Sequence, residues 1–541
     1  MTDTAAGGPG GSSLVGALSE NGPCFIGNDS NSTYLNPWSW NNEANLLFLD
    51  QPNQVGYSFD EPTNVTVALT PEQFGQDISL ADFSHGVPEQ NTTFMVGTLS
   101  SQNVTRTVNS TRHAATALWH FAQTWFEEFS YHKPADERIS LYTESNGGHY
   151  GPAFVSYFLK QNELIANGTI SGPGVHYLHM DTLGIVNGCV DGEEQWKAYA
   201  SFPWENTYGV KAWTEAEYHL AMYEVHRPGG AVEMTRECNR LREKLDPNDY
   251  ADRERVNHVC YLAAEIGGNA TAQPYLDAGR SGWFDITHAG NDPFPPFYMA
   301  GFLNQHWVQK ALGVPVNHTF VSHAVQEGFD RTGDFAKGGL LKDLGFILDH
   351  SVKVAMMYGD RDYACSWVQG EASSLKIPWS HHDEFEKAGY TPLVLDTLHS
   401  GGLTRQYGNL SFTRVYQAGH MVPSYQPEAA YKIFMRSLLS KDIATGEVDL
   451  RAVAAEGRQY STEGPHDTWW MKNDVLPSPP SECYLWDMGR CTEEEKKAVF
   501  DGRAVIMDWI VVGIEGDGAS KERVMPLVSD AGEQQPLADV A

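Results

Sequence analysis

The segment Ile139–Tyr150 runs an apolar strand straight into Ser145, with Asn146, Gly147 and Gly148 behind it. A serine on a tight strand-to-helix turn is held with its hydroxyl exposed above a sheet, and small residues flank it because the chain passes close to itself. Such an elbow usually opens on a glycine where this chain has Thr143, so the turn alone reads equally as a nucleophile or as an ordinary Ser-Gly turn. Two later strand ends carry complementary groups. The run through Met357 and Tyr358 ends in Gly359-Asp360-Arg361-Asp362, and Phe412–Tyr416 ends just before His420. A serine, then an acid, then a histidine, each after a strand, are the parts of a nucleophile, an orienting carboxylate and a general base. The glycine run Gly7-Gly-Pro-Gly-Gly11 could cradle a phosphate, but no Lys follows it and no acidic partner is placed for a dinucleotide. It serves better as an oxyanion loop, where a backbone N–H faces the reaction centre, although alone it would read as a flexible turn. A lone histidine is most often structural; four loops converging on one reaction change that balance.

The elements that must position these groups are short buried runs alternating with helical stretches. Leu46–Leu49, Ile139–Tyr142, Leu183–Val186, Val352–Tyr358 and Phe412–Tyr416 read as strands, and Ala114–Phe126 has apolar residues at helical spacing. The alternation predicts an α/β fold with a mostly parallel central sheet, flanking helices and a helical cap insertion, and the order serine, acid, histidine at strand ends points to the α/β-hydrolase type. The expected division is a first core part over 1–203, a cap over 204–280, a second core part over 281–440, an extension over 441–514 and a disordered tail over 515–541. The cap helices are expected at Glu215–Val225, Glu233–Leu245 and Arg253–Ala264, and a last core helix at Pro427–Leu439.

With 37 Lys+Arg against 69 Asp+Glu in 541 residues, the net charge of −32 disfavours nucleic acid and anionic membranes as partners. The best apolar run, Ala504–Gly513, is too short to span a bilayer and is broken by Asp508. Asn-x-Ser/Thr occurs ten times, at Asn28, Asn31, Asn64, Asn91, Asn103, Asn109, Asn167, Asn269, Asn317 and Asn409. That excess points to N-glycans and the secretory pathway, secreted or vacuolar. Seven cysteines agree. Cys483 and Cys491 flank a short loop, Cys238 and Cys260 bracket a charged helical stretch, and Cys24 and Cys189 remain as candidates. Six cysteines allow fifteen pairings, so connectivity stays open. The first residues carry no basic, apolar and cleavage regions of a signal peptide, which conflicts with the sequons.

Taken together, Gly-Gly-Pro-Gly-x-Ser-Ser from Gly7, Asn-Pro-x-Ser-Trp-Asn from Asn36, Asp-Gln-Pro-x-x-Val-Gly-Tyr-Ser from Asp50, Glu-Ser-x-Gly-Gly-His-Tyr-Gly-Pro from Glu144, Gly-Asp-x-Asp from Gly359 and Ala-Gly-His-Met-Val-Pro from Ala418 resemble the serine carboxypeptidases. Glu-Asn-Gly-Pro-Cys at Glu20 and Thr-Glu-Ser at Thr143 are most similar to the secreted fungal branch. The resemblance implies removal of C-terminal amino acids at acid pH, without a cofactor, by Ser145, His420 and Asp362, the last chosen over Asp360 as the second aspartate of its motif. It implies Gly8 and Asn146 as oxyanion donors, Gly7, Glu20 and Glu144 as binders of the substrate carboxylate, and Cys365 as a free buried thiol. The chain departs from the pattern at Ala6, where the family has a carboxylate-binding Asn, and at Asn146, where it has an aromatic.

An acyltransferase on the same fold and a non-catalytic binding protein are the competing readings. No metal site is indicated, His381-His382 being an isolated pair. The expected partners are peptide and protein C-termini; oligomeric state is open. Six polar residues before Gly7 look too few for the central strand that should feed an oxyanion loop. The expectation is therefore that the N-terminal strands are missing, that Met1 is not the natural start, and that the chain as written is insoluble or catalytically impaired by truncation.

Overall fold

The computed structural model describes residues 2–5, 8–72, 75–129, 136–290, 292 and 294–515. Its centre is an eight-stranded sheet in the order Thr391–Val394, Ser400–Tyr407, Leu410–Val415, Lys353–Gly359, Met180–Val186, Ile139–Glu144, Thr2–Ala5, Leu46–Phe48. The strands from Leu410–Val415 to Leu46–Phe48 pair in parallel, and the first three form an antiparallel meander.

Period-two alternation sorts the strand side chains into two cores. Leu141, Leu183, Ile185, Val354, Met356 and Phe412 pack on one side with Ala115, Leu118, Phe154 and Phe158 of the helices Thr111–Glu128 and Gly147–Ala166. Their neighbours Tyr142, Val186, Met357 and Val415 face the other way, onto Ile433 and Phe434 of the helix Pro427–Leu438. Trp40 closes that second layer, its ring stacked 4.3 Å from Phe434. Each such side chain contributes about 1.5–3 kcal/mol when fully buried. Every residue of Lys353–Gly359 is buried, as befits a central parallel strand covered on both faces. Helices Glu215–His226, Ala231–Leu245, Glu254–Ala270 and Ala272–Ala278 follow Trp204, the first opened by a Thr214/Glu217 capping box.

The N-terminal expectation needs correcting. Thr2–Ala5 is a strand, in register with Ser140–Thr143 on one side and, over its first three residues, with Leu46–Phe48 on the other. A ladder uses backbone N–H and C=O groups, which Thr-Asp-Thr-Ala supplies as well as an apolar run does. The unpaired neighbours on which the expected insolubility rested are therefore paired. Ala504–Gly513 falls in a hairpin, Ala504–Met507 against Ile510–Ile514, with Asp508 and Trp509 at its turn (φ +50° and +71°). No described helix is long and apolar enough to cross a membrane.

Three disulfides are formed: Cys238–Cys260, Cys483–Cys491 and Cys189–Cys365. The last corrects two expectations at once, because Cys365 is not a free thiol and Cys24 is not a disulfide partner. Cys189 and Cys365 are 176 residues apart, yet they sit in the loops leaving two adjacent strands, Met180–Val186 and Lys353–Gly359, with Cα atoms 5.0 Å apart. Cys24 is the free cysteine, half-buried in the hairpin Cys24–Ile26/Thr33–Leu35, where burial pushes its thiol pKa up.

Candidate active site

Register brings the chemistry together. Glu144 lies opposite Val186, Val186 opposite Met357, and Gly359 opposite Val415, so four adjacent strands end side by side. The crevice outside the carboxyl ends of parallel strands is where loops of an open α/β sheet assemble a site. The loops leaving these strands carry Ser145, Asn187, Asp360 with Asp362, and His420.

Ser145 is partly exposed and has φ +61°, a left-handed conformation that costs a non-glycine residue about 1–3 kcal/mol. Three hydrogen bonds hold it there. Its N–H donates to the Val186 carbonyl (3.1 Å), and its carbonyl accepts from the N–H groups of Gly148 and Cys189, both at 2.9 Å. A Cβ on Gly148 would lie 2.5 Å from the Cys189 carbonyl oxygen, so only glycine allows this approach. Asn146 precedes the helix Gly147–Ala166 without a side-chain capping bond, and the first N–H groups of that helix lack intrahelical acceptors while its dipole favours negative charge. The strained turn thus places a hydroxyl beside the positive end of a 20-residue helix.

His420 and Asp362 are both buried, with Nδ1 and Oδ2 2.7 Å apart. The same carboxylate oxygen accepts from Asn187 Nδ2 (2.7 Å) and from the Cys365 N–H (3.0 Å). A carboxylate surrounded by donors fixes the proton on Nδ1 and leaves Nε2 as the basic nitrogen. The imidazole also stacks on Phe284 at 4.9 Å, and the His420 N–H donates to the Phe284 carbonyl.

Asp360 has other partners. It forms a fully buried ion pair with Arg414 (3.0 Å), and accepts from Tyr208 Oη (2.5 Å), Asn473 Nδ2 (3.0 Å) and the Gln417 N–H (3.0 Å). The last bond holds Gln417, at φ +55°, in the turn that leads to His420.

Glu20 and Glu144 share a side-chain hydrogen bond, and Glu20 is only 5% exposed. Burial raises the pKa of both. Glu144 is raised well above the ordinary range, by burial first, then by the charge of Glu20 and by their hydrogen bond, and further by Asp362. Two carboxyls in contact cannot both ionise cheaply, so the pair keeps a proton, with Glu144 the more strongly raised of the two. Glu20 is also raised by burial, against lowering by the Glu144 hydrogen bond and by His420, which places the pair within electrostatic reach of the histidine. The turn is pinned by Asn36, whose Nδ2 donates to the carbonyls of Glu20 and Gly22, both at 3.0 Å.

Gly8 sits at φ +86° with nothing within 4 Å of where a Cβ would be, so its surroundings are open. Gly7 and Ala6 lie outside the described residues. Asn187, Arg414, Tyr208 and Phe284 were not singled out from the sequence. Only Asn187 carried a signal, in the Asn-Gly turn that ends the strand Met180–Val186.

The sequence model of the serine carboxypeptidase family matches residues 6–440. Carboxypeptidase S1 homolog A of Arthroderma otae is 48% identical over 510 residues, covering 93% of this chain and 77% of that protein. Carboxypeptidase S1 homolog A of Trichophyton rubrum is 44% identical over 99% of this chain and 81% of its own length. Among solved structures, Kex1(delta)p, a prohormone-processing carboxypeptidase from Saccharomyces cerevisiae, superimposes with a TM-score of 0.56 over 86% of each chain at 19% identity, a likeness of fold.

Proposed function

The chain belongs to the serine carboxypeptidase family and has its α/β-hydrolase fold, and from that premise we propose how it performs serine-type carboxypeptidase chemistry. Ser145 Oγ attacks the carbonyl of the last peptide bond while His420 Nε2 takes its proton. Asp362 steadies the imidazolium so formed. The tetrahedral oxyanion is held by the backbone N–H groups of Gly8 and Asn146, donors of a kind typically worth about 3 kcal/mol each. His420 then returns the proton to the departing amino acid, and water resolves the acyl-enzyme by the same steps reversed.

The observation that carries the exopeptidase reading is the Glu20–Glu144 pair beside this machinery. A protonated carboxyl donates to a free terminal carboxylate, which an internal peptide lacks. The test is turnover of a blocked dipeptide at acid pH. Release of the C-terminal amino acid is expected, whereas inertness in a protein whose Ser145 reacts with an organophosphonate, or net transfer of the acyl group to an added alcohol in place of water, would sink the reading.

A secretory location is part of the same proposal, supported by three disulfides and by exposed sequons at Asn28, Asn31, Asn64, Asn91, Asn103, Asn167 and Asn269. Asn317 differs. Its Oδ1 accepts from the Thr98 N–H (3.0 Å) and its Nδ2 donates to Asn304 Oδ1 (3.3 Å), so a glycan there would break a packed contact. Glycopeptide mapping of protein from a eukaryotic host should find sugar at exposed sequons and none at Asn317; an occupied Asn317 would contradict this.

A further inference from the structure

The segment that joins two proposed functional groups is anchored on a buried carboxylate. Gly8, the proposed oxyanion donor, begins it, and Glu20 ends it, twelve residues later and straight after the helix Leu14–Ser19. Between them Asp50 reaches in from the end of the strand Leu46–Phe48. Its Oδ1 accepts from Ser12 Oγ (2.6 Å) and from the Ser13 N–H (2.9 Å), while Oδ2 accepts from the Tyr57 N–H (2.9 Å). The Leu49 carbonyl, next in the chain, accepts from Ser13 Oγ at 2.7 Å. From the other side His318 Nε2 stands 2.9 Å from Ser12 Oγ. Burial lowers the His318 pKa to about 3, so the ring is neutral across the working range. The one hydroxyl proton of Ser12 points to Asp50; Nε2 therefore carries the ring proton and donates, and the Leu14 N–H (3.2 Å) takes the remaining lone pair of Ser12. Backbone bonds complete the cradle, from the Ser12 N–H to the Phe320 carbonyl (3.1 Å) and from the Ser322 N–H to the Gly10 carbonyl (2.9 Å). Ser12, Ser13 and His318 are all buried, so the contact gives substrate nothing directly.

We infer that Asp50 is a positioning residue of the reaction: by clamping Ser12 and Ser13 it sets the place of the oxyanion donor at Gly8, with His318 buttressing the clamp through Ser12. Donors must be held within about 0.5 Å of their productive position, itself about 2.7–3.1 Å from the developing oxyanion, and a glycine loop cannot supply that rigidity itself. A carboxylate with three donors on two oxygens can. The inference rests on the oxyanion role proposed for Gly8.

The experiment compares Asp50→Ala, Asp50→Asn and Ser12→Ala with the full chain, reading kcat and KM on a blocked dipeptide and the affinities of two inhibitors. A peptidyl boronate forms a tetrahedral adduct with Ser145 and uses the oxyanion hole; the free amino acid released from the C-terminus is the leaving product, binds through its own carboxylate and does not. Asp50→Ala is expected to lose about 10²-fold in kcat and in boronate affinity together, with product affinity changed only a few-fold. Asp50→Asn keeps one acceptor oxygen for Ser12 and Ser13 and recovers most of the loss. Ser12→Ala, which leaves the Ser13 bond in place, falls between them. An Asp50→Ala enzyme with full kcat, or one losing product and boronate affinity equally, overturns the inference, as does an Asp50→Asn no better than Asp50→Ala. If Asp50→Ala does not fold, Asp50→Asn and Ser12→Ala carry the comparison, and undiminished boronate affinity in both overturns it. A wild-type chain that binds the boronate but releases no amino acid would sink the carboxypeptidase reading alone, since the boronate comparison stays readable.

Discussion

Ser145→Ala and His420→Ala each abolish hydrolysis of a blocked dipeptide, with losses of about 10⁴–10⁶-fold in kcat, while circular dichroism shows an intact fold. Asp362→Asn loses about 10⁴-fold, because an amide can donate to Nδ1 and so stabilise the tautomer with its proton on Nε2, where a base is needed. Asp360→Asn gives the opposite split. The carboxylate it removes neutralises Arg414, and both partners are fully buried. Deleting one member of such a pair leaves an uncompensated charge in the interior and costs about 3–5 kcal/mol. That appears as a thermal midpoint lower by several degrees, whereas kcat of the protein that remains folded stays within about tenfold of wild type, since Asp360 touches Gln417 and not the imidazole. Thermal melts and kinetics on the same four preparations check both halves. Near-full activity in any of the first three removes that residue from the mechanism, and a larger kinetic loss in Asp360→Asn than in Asp362→Asn moves the orienting role to Asp360.

That contrast also marks how far the sequence could be read. Parallel strands buried on both faces appear as continuous apolar runs, which is why the strand Lys353–Gly359 and its neighbours were legible, and with them the strand ends that carry the reacting groups. Small residues around Ser145 betrayed the close passage of chain that Gly148 makes against Cys189. What escaped depends on partners far away in sequence. Thr2–Ala5 is polar and short, and only its two parallel neighbours make it a strand. Ser400–Tyr407 contains two glycines, Arg405 and Gln406, yet Gly401–Gln406 are all buried. Arg405 lies over the Tyr390 ring at 4.7 Å and donates from Nη2 to the His466 carbonyl, and Gln406 Oε1 accepts from the Ile443 N–H at 2.8 Å, so these polar side chains find partners inside. The Cys189–Cys365 bridge was illegible for the same reason: adjacency of the strands Met180–Val186 and Lys353–Gly359 creates it, and the motif around Cys365 pointed to a thiol instead.

Peptidase kcat/KM is expected to be highest at acid pH and to fall as pH rises, and Glu144→Gln should remove most of that fall. The sign follows from the proton that Glu144 holds. Its pKa is raised well above the ordinary glutamate value by burial, by the charge of Glu20 and by their hydrogen bond, so below that raised value the pair carries a proton and can donate to the substrate's terminal carboxylate. Above it two negative carboxyls face a third, and binding is lost, chiefly in KM. Folding stability moves in the same direction. Between the unfolded value, about 4.3, and the raised native one, the native state binds more protons than the unfolded state, so stability declines with rising pH by about 1.4 kcal/mol for each unit of elevation. Glutamine keeps an N–H donor at every pH and has no proton to lose, so its variant should hold its affinity towards neutrality and show a flatter thermal-midpoint profile over the same window. Substrate with an amidated C-terminus separates this effect from the triad's own titration, because it has no carboxylate to bind. It should bind more weakly than the free acid, most clearly at low pH, and its profile should be alike in wild type and Glu144→Gln. A flat wild-type profile from about pH 4 to 8 on the free acid, or a Glu144→Gln enzyme that declines as steeply as wild type, would exclude the shared proton as the device that recognises the terminal carboxylate.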